Sequence, residues 1–229
     1  MEYPHNRPYT ADDLVRIITL LRDPVNGCPW DKVQTHTSIR MNFLEEAYEA
    51  VDALDLDDPV LMCEELGDVL MQVAFHTCME QETGRFTWEQ VCDGVCQKLI
   101  ERHPNIFGTQ PGYEGITDWD ALKNKEKGRR TLADDLESVP RAMPALMRAA
   151  KLQKRAARHG AALQGADAAA LADAAENMQP AQPARAQAEQ AVGELLFAAA
   201  NLARQAGVDP EQALQKANEA FCTAAGPVA

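Results

Sequence analysis

Hydrophobic positions recur every three or four residues along most of the chain, which is the period of an amphipathic α-helix. No long stretch alternates between β-branched and polar residues, so no strands are expected. Gly and Pro pairs interrupt the helical pattern and mark its breaks. The pattern predicts an all-α fold with nine helices, over residues 11–22, 37–56, 60–82, 87–102, 117–127, 140–158, 167–177, 184–206 and 210–222.

The charge changes sharply along the chain. Residues 1–140 carry 27 acidic and 13 basic residues, whereas residues 141–229 carry 8 acidic and 9 basic residues and are rich in alanine. Two compositions indicate two structural units. We therefore predict a first domain over 1–127, a polar linker over 128–139 and a second domain over 140–229.

The two units also share short stretches of sequence. Glu64–Leu70 is similar to Gln190–Leu196. In addition, Leu21-Arg22 followed by Gly27 is similar to Leu152–Arg155 followed by Gly160. Self-similarity of this kind predicts two tandem copies of one helical unit.

The composition excludes several classes of protein. The chain has 229 residues, 46% of them hydrophobic, and a net charge of −13, which excludes a mainly disordered chain and disfavours a nucleic-acid partner. No apolar run is long enough for a membrane span, and the N-terminus lacks the features of a secretory signal. The six cysteines lack zinc-site spacing, so we expect reduced, buried thiols in a cytoplasmic protein with no membrane partner.

The residues 45–68 hold ten acidic residues and no lysine or arginine. Glu46 and Glu49 are three residues apart on a predicted helix whose apolar arc (Phe43, Leu44, Ala47, Val51 and Leu54) borders the core. Glu65 and Asp68 repeat this spacing on the next helix. Because a short connection joins the two helices, they should pack antiparallel and bring the four carboxylates together.

Partly buried carboxylates repel one another unless they are protonated or a cation offsets their charge. Oxygen ligands without Cys or His favour Mg²⁺, Mn²⁺ or Ca²⁺. One alternative is a pair of amphipathic helices with acidic solvent faces. Another is a carboxylate-bridged di-iron bundle, but that design needs Glu-x-x-His, and His76 lies eight residues after Asp68.

A magnesium ion held by carboxylates usually meets phosphate oxygens in its remaining positions. Lys98 and Arg102, one turn apart, are then candidate phosphate ligands, or else solvated surface bases. Trp30 lies on a Gly/Pro turn before the acidic helix. It could stack on a nucleotide base or fill the core.

The motif Glu45-Glu46-Ala47-Tyr48-Glu49, followed by Glu65-Leu66-Gly67-Asp68, resembles the EExxE…ExxD signature of the MazG-type nucleoside triphosphate pyrophosphohydrolases. The resemblance implies an all-α NTP pyrophosphatase fold that assembles as a dimer or a dimer of dimers, and Mg²⁺-dependent hydrolysis of an NTP to the NMP and pyrophosphate. The flanking segments agree with it: Leu21-Arg22-Asp23-Pro24, Asn26-Gly27-Cys28-Pro29-Trp30-Asp31, Gly84-Arg85-Phe86, Arg102-His103-Pro104 and Pro144-Ala145-Leu146-Met147-Arg148.

The resemblance also implies roles for individual residues. The metal ligands would be Glu46, Glu49, Glu65 and Asp68, with Mn²⁺ a potential substitute for Mg²⁺. Glu45 would orient water, which makes Glu45 and Glu46 the catalytic candidates. Trp30, Lys98 and Arg102 are the substrate-binding candidates. Coupled carboxylates titrate as a group, so the sequence leaves the general base open.

The second unit departs from the family pattern. Where the motif should recur, the chain reads Ala172-Asp173-Ala174-Ala175-Glu176 and Ala191-Val192-Gly193-Glu194, which leaves few metal ligands. We therefore predict that the active site lies in the first unit and that the second is a degenerate copy kept for packing or dimerisation. Alternative functions are a helical regulatory or protein-binding module with little catalysis, and a pyrophosphatase restricted to dUTP or dCTP.

Overall fold

The computed structural model describes residues 2–5, 7–104, 106–108, 122, 124, 126–163, 166–177 and 185–225. Within these residues the chain is all-helical, as predicted, with no strand. Eight of the predicted helices are confirmed, while the one over 117–127 lies almost wholly outside the described residues. The helices are α1 (Ala11–Leu21), α2 (Arg40–Asp55), α3 (Pro59–Glu82), α4 (Trp88–Arg102), α5 (Leu132–Glu137), α6 (Ala145–Arg158), α7 (Ala168–Asn177), α8 (Arg185–Gln205) and α9 (Pro210–Ala225).

Side-chain caps fix where the first helices begin. Thr10 before α1 and Thr87 before α4 each form a capping box with the residue three positions on. Asp58 caps α3, since its Oδ1 accepts hydrogen bonds from the backbone N–H groups of Val60 (2.9 Å) and Leu61 (3.1 Å). Pro59 occupies the first turn, where its missing N–H costs nothing.

The first compact unit, Met1–Ile116, is built around α3. Helices α1, α2 and α4 each pack against it. Its core is a cluster of buried apolar side chains drawn from α1, α3, α4 and the loop before α2: Ile18, Ile39, Ala74, Phe75, Cys78, Met79 and Trp88. The core therefore lies along the C-terminal half of α3, and the acidic N-terminal half lies beyond it.

The prediction that the apolar arc of α2 borders the core is wrong for three of its five residues, while Phe43 and Ala47 are half-buried. The buried residues of α2 are Ala50 and Ala53, whereas Leu44, Val51 and Leu54 are exposed. Small side chains let α2 and α3 approach closely, and the hydrophobic pattern of a helix does not reveal which of two faces meets its neighbour.

The second compact unit, Thr117–Ala229, begins before residue 140, the predicted start of the second domain. The segment predicted as a linker, 128–139, also contains α5, and within it Asp135 and Val139 are fully buried. Asp135 belongs to a buried cluster of charges, whereas its neighbours Asp134 and Glu137 are exposed.

Helices in the second unit pair in the same order as in the first. Both α6 and α7 pack against α8, and α9 packs against α8 and α6. The buried residues that form its hydrophobic core are, apart from Val139, all alanine among the described residues: Ala156, Ala166, Ala174, Ala191, Ala198 and Ala200. This arrangement is consistent with the predicted tandem units.

All six cysteines are free, but the expectation of buried thiols is wrong for most of them. Cys78 is buried in the core, while Cys63, Cys96 and Cys222 are exposed. No helix among the described residues is both long and apolar enough to cross a bilayer. The cytoplasmic location stays a prediction.

Candidate active site

The candidate site lies on the hairpin formed by α2 and α3. Only Leu56–Asp58 separate the two helices, so they run antiparallel and pack together. Glu46 and Glu49 each lie one turn before a buried alanine, Ala50 or Ala53, and share its face. The helix face that meets α3 therefore carries these two carboxylates towards the acidic half of α3.

Three carboxylates converge on this face. One oxygen from each of Glu46, Glu49 and Glu65 lies within 4.8 Å of the others. Glu46 and Glu65 are half-buried and Glu49 is exposed. Asp68 lies one turn further along α3, also half-buried, and its charge acts on both Glu46 and Glu65. Within the described ranges, no other group of three acidic, His or Cys side chains is this close.

The environment raises the pKa of two of these groups. Burial raises the pKa of Glu46 most, and the charges of Asp68 and Glu49 raise it further, against an opposing hydrogen bond from Gln72. Burial and the charges of Glu49, Glu64 and Asp68 likewise raise the pKa of Glu65. A divalent cation would offset this repulsion, and an all-oxygen donor set fits Mg²⁺ or Mn²⁺.

Gln72 also contacts the carboxylate cluster, although it is not among the residues predicted from the sequence. It follows Asp68 by one turn of α3, is 7% exposed, and its Nε2 donates to Oε1 of Glu46 at 3.4 Å. Its own Oε1 is buried without a hydrogen-bond partner. Gln72 thus holds one face of Glu46 and leaves a polar atom unsatisfied beside the cluster. The i, i+4 spacing from Asp68 is the signal that could have indicated it.

His76 belongs to a different arrangement, one turn further along α3. Its Nδ1 lies 2.7 Å from Nδ1 of His36, and the two rings stack at 5.0 Å. Nε2 of His36 is 2.6 Å from a carboxylate oxygen of Glu80. Burial and the neighbouring His36 lower the pKa of His76. Since His76 pairs with His36 rather than with the carboxylates, the geometry does not favour the di-iron alternative.

Trp30 is 57% exposed, so the alternative that it fills the core is wrong. Its ring meets Phe75 edge-on, with centroids 6.5 Å apart. The turn that carries it needs a glycine at position 27, because a Cβ there would lie 2.4 Å from two backbone oxygens. Trp30 therefore presents an accessible aromatic surface on a constrained turn.

Arg22 fixes the segment that follows Trp30. Its Nη1 donates to the backbone oxygens of Asp31 (2.8 Å) and Gln34 (3.2 Å). Its Nε and Nη2 bind the Glu82 carboxylate in a bidentate pair. The guanidinium also lies over Phe75, 5.2 Å from the ring centroid. Arg22 is buried and ties the Trp30 turn to the C-terminal ends of α1 and α3.

The remaining predicted site residues lie around the cluster. Glu45 is exposed beside Glu46 and outside the group of three. Lys98 is exposed on α4, as expected of a solvated base, whereas Arg102 is 8% exposed, which excludes that alternative for Arg102. In the second unit Glu176 and Glu194 are both exposed, and Glu194 accepts a hydrogen bond from Gln190.

Comparisons with known proteins agree on one family. Residues 34–107 match the family model of the MazG nucleotide pyrophosphohydrolase domain. The chain is 42% identical over 219 residues to a nucleoside triphosphate pyrophosphohydrolase of Escherichia coli (strain K12), covering 92% of this chain and 83% of that protein. It is 39% identical over 212 residues to the nucleoside triphosphate pyrophosphohydrolase/pyrophosphatase MazG of Thermotoga maritima, covering 92% of this chain and 82% of that protein. A Mycobacterium tuberculosis nucleoside triphosphate pyrophosphohydrolase is 38% identical over 154 residues, covering 66% of this chain and 46% of that protein. The matched segment contains α2, α3 and all four predicted metal ligands, and the chain belongs to the MazG family of nucleotide pyrophosphohydrolases.

Proposed function

We propose that this enzyme hydrolyses nucleoside triphosphates to the monophosphate and pyrophosphate with Mg²⁺, in an active site on the α2–α3 hairpin of the first unit. The observation that supports this most is the convergence of Glu46, Glu49 and Glu65 within 4.8 Å, next to Asp68. The relatives named above carry this activity in their names.

We assign the metal to Glu46, Glu49, Glu65 and Asp68. When bound there, Mg²⁺ would offset the carboxylate charge, hold phosphate oxygens and lower the pKa of a water. Gln72 restrains the Glu46 carboxylate from its buried side. Trp30 offers its exposed ring to the nucleotide base, and Lys98 and Arg102 are proposed to contact phosphate oxygens.

Attack of water on the α-phosphorus releases pyrophosphate and needs an acceptor for the water proton. Glu45 and Glu46 are the proposed catalytic residues. The clustered carboxylates titrate together, so the proton acceptor is assigned to this pair and not to either residue alone. Glu45, which is exposed outside the cluster, is proposed to orient the water.

We also propose that the first unit self-associates through the exposed apolar side of the same hairpin. Leu44, Tyr48 and Val51 follow one side of α2, and Leu66 and Leu70 follow one side of α3, all of them 37% exposed or more. Apolar faces of this extent are normally covered in soluble proteins. A second copy of the chain would cover them and give the expected homodimer.

The proposed function is tested by pyrophosphate release from the common NTPs and from dUTP and dCTP, with Mg²⁺ and with excess EDTA. We expect release with Mg²⁺ and none with EDTA. Equal release in EDTA would contradict the metal site. No release from any nucleotide would favour the regulatory-module alternative, and release from dUTP or dCTP alone would favour the restricted enzyme.

Replacing Trp30 by alanine is expected to raise the KM for the nucleotide about 5- to 100-fold, the range that loss of one base–aromatic stack gives. Thermal stability should change little, because the side chain is 57% exposed. Steady-state kinetics and a melting curve measure the two effects. A Trp30→Phe variant, which keeps a ring, should recover most of the affinity. An unchanged KM in Trp30→Ala would rule out the stacking role.

A further inference from the structure

The second unit contains a cavity of about 560 Å³ between α6, the end of α8 and the start of α9. Three basic side chains line it, in a unit that otherwise has little net charge. Its other lining residues are mostly apolar. The basic residues are Lys151, Lys154 and Arg204, and the apolar ones include Met143, Met147 and Val208.

The internal repeat shows that two of these three bases, Lys151 and Arg204, replace core residues of the first unit. The shared stretches align Arg22 with Arg155 and Ala74 with Ala200, and both members of each pair are buried. The same alignment places Lys151 at the position of Ile18, Lys154 at that of Leu21 and Arg204 at that of Cys78.

In the first unit all three positions are apolar, and two of them are closed to solvent. Ile18 is 2% exposed and Cys78 is 3% exposed, and both belong to one hydrophobic core, whereas Leu21 is 40% exposed. In the second unit the same region is an open cavity with cations on two sides. Relaxed packing alone would leave small or apolar residues at core positions. Bases at two such positions, with a third base beside them on the cavity wall, indicate an anionic ligand.

Buried groups hold Arg204 in place. Its Nε and Nη2 both donate to Oδ1 of Asn201, at 3.0 and 2.8 Å. Asn201 is 2% exposed and donates in turn to the backbone oxygen of Ala166. Neither Lys151 nor Lys154 lies in an ion pair with a carboxylate of the described residues. The cavity therefore offers one preorganised guanidinium and two ammonium groups.

The one acidic side chain that lines the cavity, Asp209, is hydrogen-bonded to the start of α9. Oδ1 of Asp209 accepts hydrogen bonds from the backbone N–H groups of Glu211 (2.9 Å) and Gln212 (3.0 Å) and so caps α9. The net charge facing the cavity stays positive.

We propose that this cavity is a metal-independent binding site for a nucleotide phosphate, separate from the proposed active site. Arginine and lysine are the side chains that bind phosphate oxygens. Met143, Met147 and Val208 give an adaptable apolar wall for the base and ribose. The volume lies within the range of small-ligand pockets.

The test measures binding without hydrolysis, so it does not depend on the activity of the first unit. The full chain in EDTA is titrated with ATP, AMP, adenosine and inorganic phosphate by calorimetry. We expect ATP or AMP to bind, adenosine and phosphate to bind more weakly, and added salt to weaken binding. The double variant Lys151→Gln with Lys154→Gln should lose affinity about tenfold or more.

The matched control removes two exposed charges of the same unit outside the cavity, Arg185→Gln with Lys216→Gln, and should bind like the wild type. If the double variant does not fold, the binding measurement is made with Lys154→Gln alone, because Lys154 is exposed and its replacement should not disturb the fold. The proposal is overturned if the wild type binds no nucleotide, or if both double variants bind equally well. Inorganic phosphate binding as tightly as ATP would overturn the nucleotide assignment.

Discussion

Replacing Glu46 by glutamine is expected to reduce the rate of pyrophosphate release at least ~100-fold, because the change removes one of the clustered carboxylates proposed to hold the metal. Glutamine keeps the shape of the side chain and can still contact Gln72, so the fold should persist. Release of pyrophosphate under saturating Mg²⁺ and NTP measures the effect. Glu65→Gln should behave in the same way.

The same variant is expected to be more stable than the wild type when metal is absent. The pKa of Glu46 is raised in the folded state, so its ionisation lowers the free energy of unfolding once the pH exceeds its ordinary value of 4.5. Near neutral pH the wild type carries this penalty and Glu46→Gln does not. Melting curves in EDTA should show the higher midpoint, and Mg²⁺ should raise the midpoint of the wild type far more.

The control for both measurements is Glu194→Gln, which changes the motif position of the second unit that corresponds to Asp68. Glu194 is exposed, so neither activity nor metal-free stability should respond. If Glu194→Gln abolished activity while Glu46→Gln did not, the active site would lie in the second unit.

Replacing Asp135 by alanine is expected to destabilise the second unit by about 3–5 kcal/mol, the cost of removing one partner of a buried ion pair. The carboxylate is 1% exposed and lies 3.1 Å from Arg155, 3.0 Å from Arg158 and 3.2 Å from His159. Arg155 is itself 5% exposed and also donates to Ser138. Its charge would remain buried without the carboxylate.

Hydrogen exchange of the α5 and α6 amides, followed with increasing urea, measures this loss in the second unit separately. Arg185→Ala is the control, since it breaks an ion pair whose side chains are 92% and 65% exposed, and it should cost less than about 1 kcal/mol. A comparable small loss in Asp135→Ala would show that the cluster does not stabilise the unit.

Because the pKa of Asp135 is shifted in the folded protein, the stability that this cluster contributes depends on pH. Burial alone would raise the pKa, but hydrogen bonds from Asn124 and His159 and the charges of Arg155 and Arg158 together lower it below 3.8. The stabilisation is therefore present above pH 3.8 and is lost as the pH falls through the lowered pKa.

The helices and the candidate metal ligands follow from local patterns, which is why the sequence could predict them. Capping residues and Gly/Pro breaks set the helix ends, and the i, i+3 spacing of Glu46 and Glu49 puts them on one face of α2. Because the connection between α2 and α3 is short, carboxylates on the facing sides of the two helices must lie close together.

The errors concern which face of an element meets its neighbour. Leu44 and Val51 suggest a buried arc on α2, yet alanines make the contact with α3. Asp135 suggests a solvated linker, yet its charge is neutralised by bases on α6 that are twenty or more residues away. Which face is buried depends on residues that are distant in sequence, and neither the hydropathy pattern nor the local spacing identifies those residues.

The three-residue connection Leu56–Asp58 has a consequence for how the chain folds. Contacts within such a hairpin close a short loop, so α2 and α3 can pair early, before the contacts of α1 and α4 with α3. The acidic residues on its two arms repel during that early step. Divalent ions present during refolding should therefore speed the first phase of chain collapse.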